Sequence, residues 1–143
     1  PNLKYAWDNG VAIGRYLAEL KNGQIIGKRC RVCKRVLVPP RLFCEVCWRP
    51  TDEWTYVRDT GTILTFVVSH VNWDASPVKE GERYHTPAVI ELDGAGKDQA
   101  ILHLIGEIEP YDIKIGMKVQ AVWRAPESSK PRIPTRRSYS QRG

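Results

Sequence analysis

The sequence predicts a mainly β chain, with an N-terminal helix and a metal-binding segment ahead of a small five-stranded barrel. Three features carry that expectation: apolar residues at three-and-four spacing near the N-terminus, two Cys-x-x-Cys pairs in close succession, and two-residue alternation after Pro50. At 143 residues the chain suits one compact unit, or a small module attached to a slightly larger one. Its 42% hydrophobic and 27% charged content are those of a soluble globular protein. The longest apolar run, Ile63 to Val68, is broken by Thr65 and falls far short of the roughly 20 residues of a membrane-spanning helix. Pro1-Asn2-Leu3-Lys4 opens no apolar signal region, and the missing initiator Met leaves room for an upstream piece removed before numbering. A cytoplasmic location without membrane contact is the default expectation.

The helix belongs to the first segment, 1–27. Asp8 or Asn9 can cap its start, Ile13, Tyr16, Leu17 and Leu20 share one face, and Gly23 sits where a left-handed C-terminal cap is wanted. Such a stripe either packs on its own domain or offers a docking surface.

The cysteines organise the second segment, 28–50. Cys30-Arg-Val-Cys33 and Cys44-Glu-Val-Cys47 are two tight turns that can each present two sulfurs, completing a tetrahedron around one zinc ion. Two disulfides would suit a secreted chain, and nothing here marks secretion. A redox Cys-x-x-Cys needs one pair within a βαβ pattern, not two facing pairs. Four thiolates leave no open coordination position, so the zinc is expected to be structural. Lys28, Arg29, Arg31, Lys34, Arg35, Arg41 and Arg49 surround the cysteines. The formal charge of −2 on a four-thiolate zinc centre accounts for most of them, and a surplus could meet phosphate groups. Pro39-Pro40 between the pairs is expected to fix an extended hinge.

The third segment, 51–124, reads as strands near 54–58, 61–72, 87–93, 99–106 and 118–124, punctuated by Gly61, Asp93-Gly94, Gly96 and Gly116. In 87–93, Ala88, Ile90 and Leu92 alternate with Val89, Glu91 and Asp93, so one face is buried. In 99–105 nearly every residue is apolar, so both faces are expected to be covered. Five strands with a long second one suit a closed OB-type Greek-key barrel, and a five-stranded open sandwich is the alternative. Glu107–Ile115, holding Pro110, reads as a connection with one helical turn. The net charge of +6 is unevenly spread: 124–143 carries six basic residues against one acid, and 1–123 is nearly neutral. The segment 125–143 is therefore expected to be a flexible basic tail, either solvated or folding onto an acidic or phosphate-bearing partner.

Gly14-Arg-Tyr-Leu, Cys30-Arg-Val-Cys33, Val38-Pro-Pro-Arg41, Phe43-Cys-Glu-Val-Cys47, Gly61-Thr-Ile-Leu-Thr-Phe66, Pro87-Ala-Val-Ile-Glu-Leu92 and Ile115-Gly-Met-Lys-Val119 occur in that order. Together they resemble the zinc-ribbon plus OB-fold proteins associated with acyl-CoA metabolism, a family long filed as a domain of unknown function. The resemblance spans about residues 10–124. It implies a helical segment, a rubredoxin-like zinc ribbon, an OB barrel and no catalytic residue. It also implies partnership with thiolase-like condensing enzymes. In archaea these include acetoacetyl-CoA thiolase with hydroxymethylglutaryl-CoA synthase, and in bacteria thiolase-like steroid-degrading enzymes. The implied role is to bind CoA or an acyl-CoA and to hold the complex together.

Such a ligand needs cations at its phosphates and apolar surface beside them. Arg35 and Arg41 in the ribbon, and Lys79 and Arg83 in the loop from Trp73 to Thr86, are the candidate phosphate contacts. Pro39-Pro40, Phe43, Tyr84 and His85 lie beside them, although the loop could equally be a mobile hairpin with no ligand. No catalytic site is expected: all four sulfurs are committed to metal, and His70, His85 and His103 suit hydrogen-bonded core or edge positions. No nucleophile elbow, zincin motif or phosphate loop occurs. A single-stranded nucleic-acid binder is the competing reading, with Trp54, Tyr56, Phe66 and Tyr84 as stacking platforms and the tail gripping phosphates. The nearly neutral body speaks against it.

Overall fold

The computed structural model describes residues 6–124 and 138–141. Helix α1 (Gly10–Lys21) opens with the Asp8 carboxylate accepting the Gly10 N–H at 2.9 Å, while Asn9 holds the N-cap position without a side-chain hydrogen bond. It closes at Gly23 (φ +74°), where Gly23 N–H reaches Leu20 O at 3.2 Å and Gln24 N–H reaches Glu19 O at 3.0 Å. That double closure requires the left-handed residue glycine supplies without strain. Of the predicted stripe, Tyr16 and Leu20 pack against the core, while Ile13 and Leu17 stay exposed with Val11 and Trp7.

The chain then lays down β1 (Ile25–Arg29), β2 (Val36–Leu37), β3 (Phe43–Cys44), β4 (Arg49–Pro50) and β5 (Glu53–Val57). β1 is the centre of an antiparallel sheet ordered β2-β1-β5, and β3 and β4 form a separate two-stranded hairpin. The strand expected near 54–58 therefore belongs to the ribbon sheet and not to the barrel. Its residues pair along the whole of β1, from Ile25↔Val57 to Arg29↔Glu53, and four of the five β1 residues are buried between the two flanking strands.

The barrel is built from β6 (Thr60–Phe66), β7 (Pro87–Leu92), β8 (Ala100–Ile105), β9 (Lys118–Ala121) and β10 (Ser138–Gln141). It closes in the order β6-β7-β8-β10-β9, with β9 returning to β6. Every neighbouring pair is antiparallel except β8 and β10, which run parallel. This is the OB-type Greek-key arrangement, and the open sandwich is excluded by closure. The fifth strand comes from within the segment expected to be a flexible tail, so that reading is corrected at 138–141. The rest of that expectation, 125–137 and 142–143, lies outside the described residues. The long second strand expected from Gly61 to Asn72 stops at Phe66, after a register shift between Ile63 and Thr65. Beyond it the chain runs through an irregular hairpin held by the bridges Ser69↔His85 and Val71↔Pro77. The expected helical turn is a 3-10 turn at Pro110–Asp112.

One cluster of buried side chains joins ribbon and barrel. Ile25, Val36 and Val38 from the ribbon pack with Ile63, Ala88, Ile90, Leu92, Ile105, Ile113 and Val119. Two glycines permit close backbone approach within the parts themselves, Gly27 in the ribbon sheet and Gly61 in the barrel. A Cβ at Gly27 would lie 2.7 Å from Leu37 O, and one at Gly61 would lie 2.5 Å from Glu91 O. The β7–β8 turn clasps the ribbon through Gly96 N–H to Val36 O at 3.0 Å. Val38 and Pro40 are fully buried on either side of an exposed Pro39, so this stretch is anchored at both ends and is not a hinge. Expectation also fails at β8, whose Leu102 is 72% exposed. Leu102 faces the same side as Val89, opposite the buried Ala88, Ile90 and Leu92, so the outer barrel face is apolar but uncovered.

Deleting residues 138–143 removes the strand between β8 and β9 and opens both edges. The truncated protein should melt at least about 10 °C lower than the full chain in a calorimetric scan. An unchanged Tm would restore the flexible-tail reading.

Candidate functional site

The four cysteine sulfurs converge although they come from separate turns. Cys30 leaves the end of β1, Cys44 ends β3, and Cys33 and Cys47 close the turns that follow. Lys34 N–H to Cys30 O at 2.8 Å and Cys30 N–H to Arg35 O at 3.0 Å tighten the first turn. In both turns the residue after the second cysteine is left-handed: Lys34 at φ +63° and Trp48 at φ +50°. Neither is glycine, so each conformation is held by its surroundings against its own preference.

The four Sγ atoms lie within 4.8 Å of one another, and Cys33 and Cys44 are 3.7 Å apart. Zinc–sulfur bonds of about 2.3 Å set tetrahedron edges of about 3.8 Å, so the spacing fits one zinc ion. The thiols also report crowding. Hydrogen bonding from the Cys33 backbone lowers Cys30 to about 7, while burial, followed by the neighbouring sulfurs, pushes Cys47 up to about 12. Four sulfurs cannot all lose their protons side by side without a cation, and a dication removes that conflict. With all four coordination positions filled by thiolates, the zinc is structural.

The cations around the centre are largely engaged by two acids. Arg35 and Arg41 both reach Glu45, at 3.2 and 3.4 Å. Asp52 accepts the Arg31 N–H at 2.8 Å, and its other oxygen meets Arg31 and Arg49 at 3.3 and 3.0 Å. The Arg31 N–H first, then the two guanidinium groups, hold the Asp52 carboxyl below its ordinary range. Glu45 is lowered too, first by its own backbone N–H and then by Arg41 and Arg35. Charge balance at the ribbon is therefore achieved partly within the chain.

Of the four candidate phosphate contacts, Arg35 and Arg41 are brought together by Glu45. Lys79 and Arg83 lie in the hairpin between β6 and β7, where the Arg83 guanidinium donates to Ile108 O. No contact joins the two pairs among the described residues. In that hairpin His70 lies against Tyr84 at 4.1 Å between ring centroids and shares a 3.1 Å hydrogen bond with the Tyr111 hydroxyl. His85 bonds the Asn72 side chain at 3.0 Å.

Of the four expected stacking platforms, Trp54 and Tyr56 share one face of β5, and Phe66 and Tyr84 lie in other elements. Trp54 lies under two cations, Tyr56 donates to Glu19 at 3.0 Å, Phe66 packs on the core and Tyr84 covers His70. A groove of about 230 Å³ lined by Gly23, Gln24, Ile25, Tyr56, Val57, Arg58 and Asp59 opens beside β5. It is smaller than the roughly 300–1,000 Å³ typical of small-molecule sites. Sequence reading missed Arg15, Lys28 and Trp54 as a group. The available signal was a lysine within the otherwise apolar Ile25-Ile26-Gly27 strand.

Fold and metal centre together define a zinc-ribbon protein carrying an OB barrel. Residues 17–53 match the ChsH2 rubredoxin-like zinc ribbon domain, and residues 54–124 match the ChsH2 C-terminal OB-fold domain. A DUF35 domain-containing scaffold protein from Methanocaldococcus jannaschii is 35% identical over 101 residues, covering 70% of this chain and 67% of the relative. The chain belongs to the DUF35 family of ChsH2-like zinc-ribbon and OB-fold proteins. Among solved structures, a chain of the Ltp2-ChsH2(DUF35) aldolase aligns with a TM-score of 0.67 at 22% identity, covering 96% of this chain and 98% of that one. A DUF35-family protein of unknown function from Sulfolobus solfataricus gives 0.69 at 18% identity, covering 93% and 87%. At these identities the likeness is one of fold.

Replacing Cys44 with Ser removes a buried ligand from the centre. Bound zinc, measured by elemental analysis after dialysis, should fall from one per chain to well below half. Retention of full stoichiometry would mean that Cys44 is not a ligand.

Proposed function

We propose that this chain is a non-catalytic accessory subunit that docks onto a thiolase-like condensing enzyme and binds CoA or an acyl-CoA there. The observation that carries the reading is the uncovered apolar surface outside the barrel. Leu102 is 72% exposed in the middle of β8, with Leu64 and Val67 on and beyond β6 also exposed. Val89 pairs with both Leu102 and Thr65, which makes these neighbours on one outer face. Exposed apolar area in a continuous sheet face marks a contact surface. On an OB barrel that face would carry aromatic platforms and cations if single-stranded nucleic acid were the ligand. Here β7 and β8 present Pro87, Val89, Glu91, Ala100, Leu102 and Leu104 instead.

Two relatives support the same reading. The Methanocaldococcus jannaschii protein is described as a scaffold, and a structurally similar chain comes from the Ltp2-ChsH2(DUF35) aldolase. The chemistry of the chain agrees, since its four cysteines are all metal ligands and none is left to carry an acyl group.

Co-expression with a thiolase-like enzyme from the same cells, followed by size-exclusion chromatography, tests docking. The wild-type chain should co-elute with the enzyme. Leu102→Asp should weaken association at least tenfold, roughly 1.4 kcal/mol, while keeping zinc and Tm. Calorimetry of the complex with CoA should give a Kd in the micromolar range, about 8 kcal/mol. Separate elution of the wild-type proteins, with no heat on adding CoA, would end this reading.

A further inference from the structure

The sheet that carries the zinc ribbon also holds a lysine that, among the described residues, meets no carboxylate and no hydrogen-bond acceptor. Lys28 lies in β1, one residue from its end, between Leu37 of β2 and Trp54 of β5, and is only 9% exposed. Its Nζ stands 5.0 Å from the centroid of the Trp54 ring. The Arg15 guanidinium, reaching from α1, stands 4.5 Å from the same centroid. Among the described residues the Lys28 ammonium has no hydrogen bond and no ion pair. The nearby carboxylate, Glu19, is already divided between Arg15 at 3.8 Å and the Tyr56 hydroxyl at 3.0 Å.

An indole face attracts a cation but offers no acceptor to an ammonium with three donors. Two like charges gathered at one ring, one of them nearly buried, raise the local potential and favour an anion that accepts hydrogen bonds from both. A phosphate group suits these donors, because its oxygens accept from both an ammonium and a guanidinium. Arg35, Arg41 and Arg83 have partners within the chain, as Arg15 has in Glu19, whereas Lys28 has none among the described residues.

We propose that Lys28 and Arg15, set on Trp54, form the site that holds a phosphate group of an organic ligand. This assignment rests on the acyl-CoA reading for the identity of the ligand, and it replaces Arg35 and Arg41 as the principal phosphate contacts. Glu19 fixes the Arg15 side chain at the mouth of the site, where it is 43% exposed, while Lys28 supplies the charge at its base.

The test uses the full-length, zinc-loaded chain at constant ionic strength, with sodium pyrophosphate and CoA as separate probes. Pyrophosphate should shift the Trp54 indole N–H resonance in a proton–nitrogen correlation spectrum. Both Lys28→Gln and Arg15→Gln should abolish that shift. Each should weaken CoA binding about tenfold or more by calorimetry, and Arg35→Gln should change it less than about twofold. Arg15 is the control for folding, because its exposed side chain can be replaced without opening the sheet. If CoA binds and both variants bind it as the wild type does, the assignment is overturned while the acyl-CoA reading stands. If pyrophosphate moves Trp54 only when Lys28 and Arg15 are present but CoA does not bind, the anion site stands and the acyl-CoA reading falls. If neither probe moves Trp54, the site is refuted.

Discussion

The rest of the molecule depends on the shared core between the ribbon sheet and the barrel. Ile25, Val36 and Val38 would have no burial partner in a ribbon standing alone, and they pack instead against barrel residues such as Ile63 and Ile90. β5 makes the join covalent as well as apolar: it pairs along β1, then passes after Val57 directly into β6 at Thr60. Zinc acts at the far end of the same strand, since Cys30 follows β1 immediately. A metal that supplies the folding energy of a small knuckle therefore also fixes the frame on which the barrel is seated.

This arrangement explains what the sequence made legible. The cysteine spacing identified the zinc centre because four soft ligands in two tight turns have few other uses. Strand positions after Pro50 followed from alternation and glycine punctuation, and the helix from the spacing of Tyr16 and Leu20. Strand partners were less accessible, because alternation tells which face of a strand is buried but not which strand lies beside it. Trp54–Val57 therefore read as barrel when it is ribbon. The fifth barrel strand, 138–141, lies in a stretch whose Pro, Ser and Arg content suggests an unfolded tail, and four residues cannot outweigh that composition. β8 misled in the opposite direction, since its apolar run suggested two covered faces and Leu102 is 72% exposed.

The candidate site was legible only where chemistry constrains spacing. That Arg35 and Arg41 share Glu45 was not legible, because sequence gives no distance to a residue four positions beyond Arg41 and ten beyond Arg35. Lys28 read only as one of the cations around the cysteines, because its meeting with Arg15 at Trp54 joins α1, β1 and β5, separated widely along the chain. The proposed ligand site on the ribbon and the proposed contact face on the barrel would have to be held rigidly to one another. The shared core supplies that rigidity.

Amide hydrogen exchange on the zinc-loaded and chelator-treated protein tests this coupling most directly. If ribbon and barrel are one cooperative unit, chelation should lower protection in β6, β7 and β8 as well as in β1–β5. Loss confined to residues 25–57, with the barrel strands fully protected, would show two independent units and contradict the account.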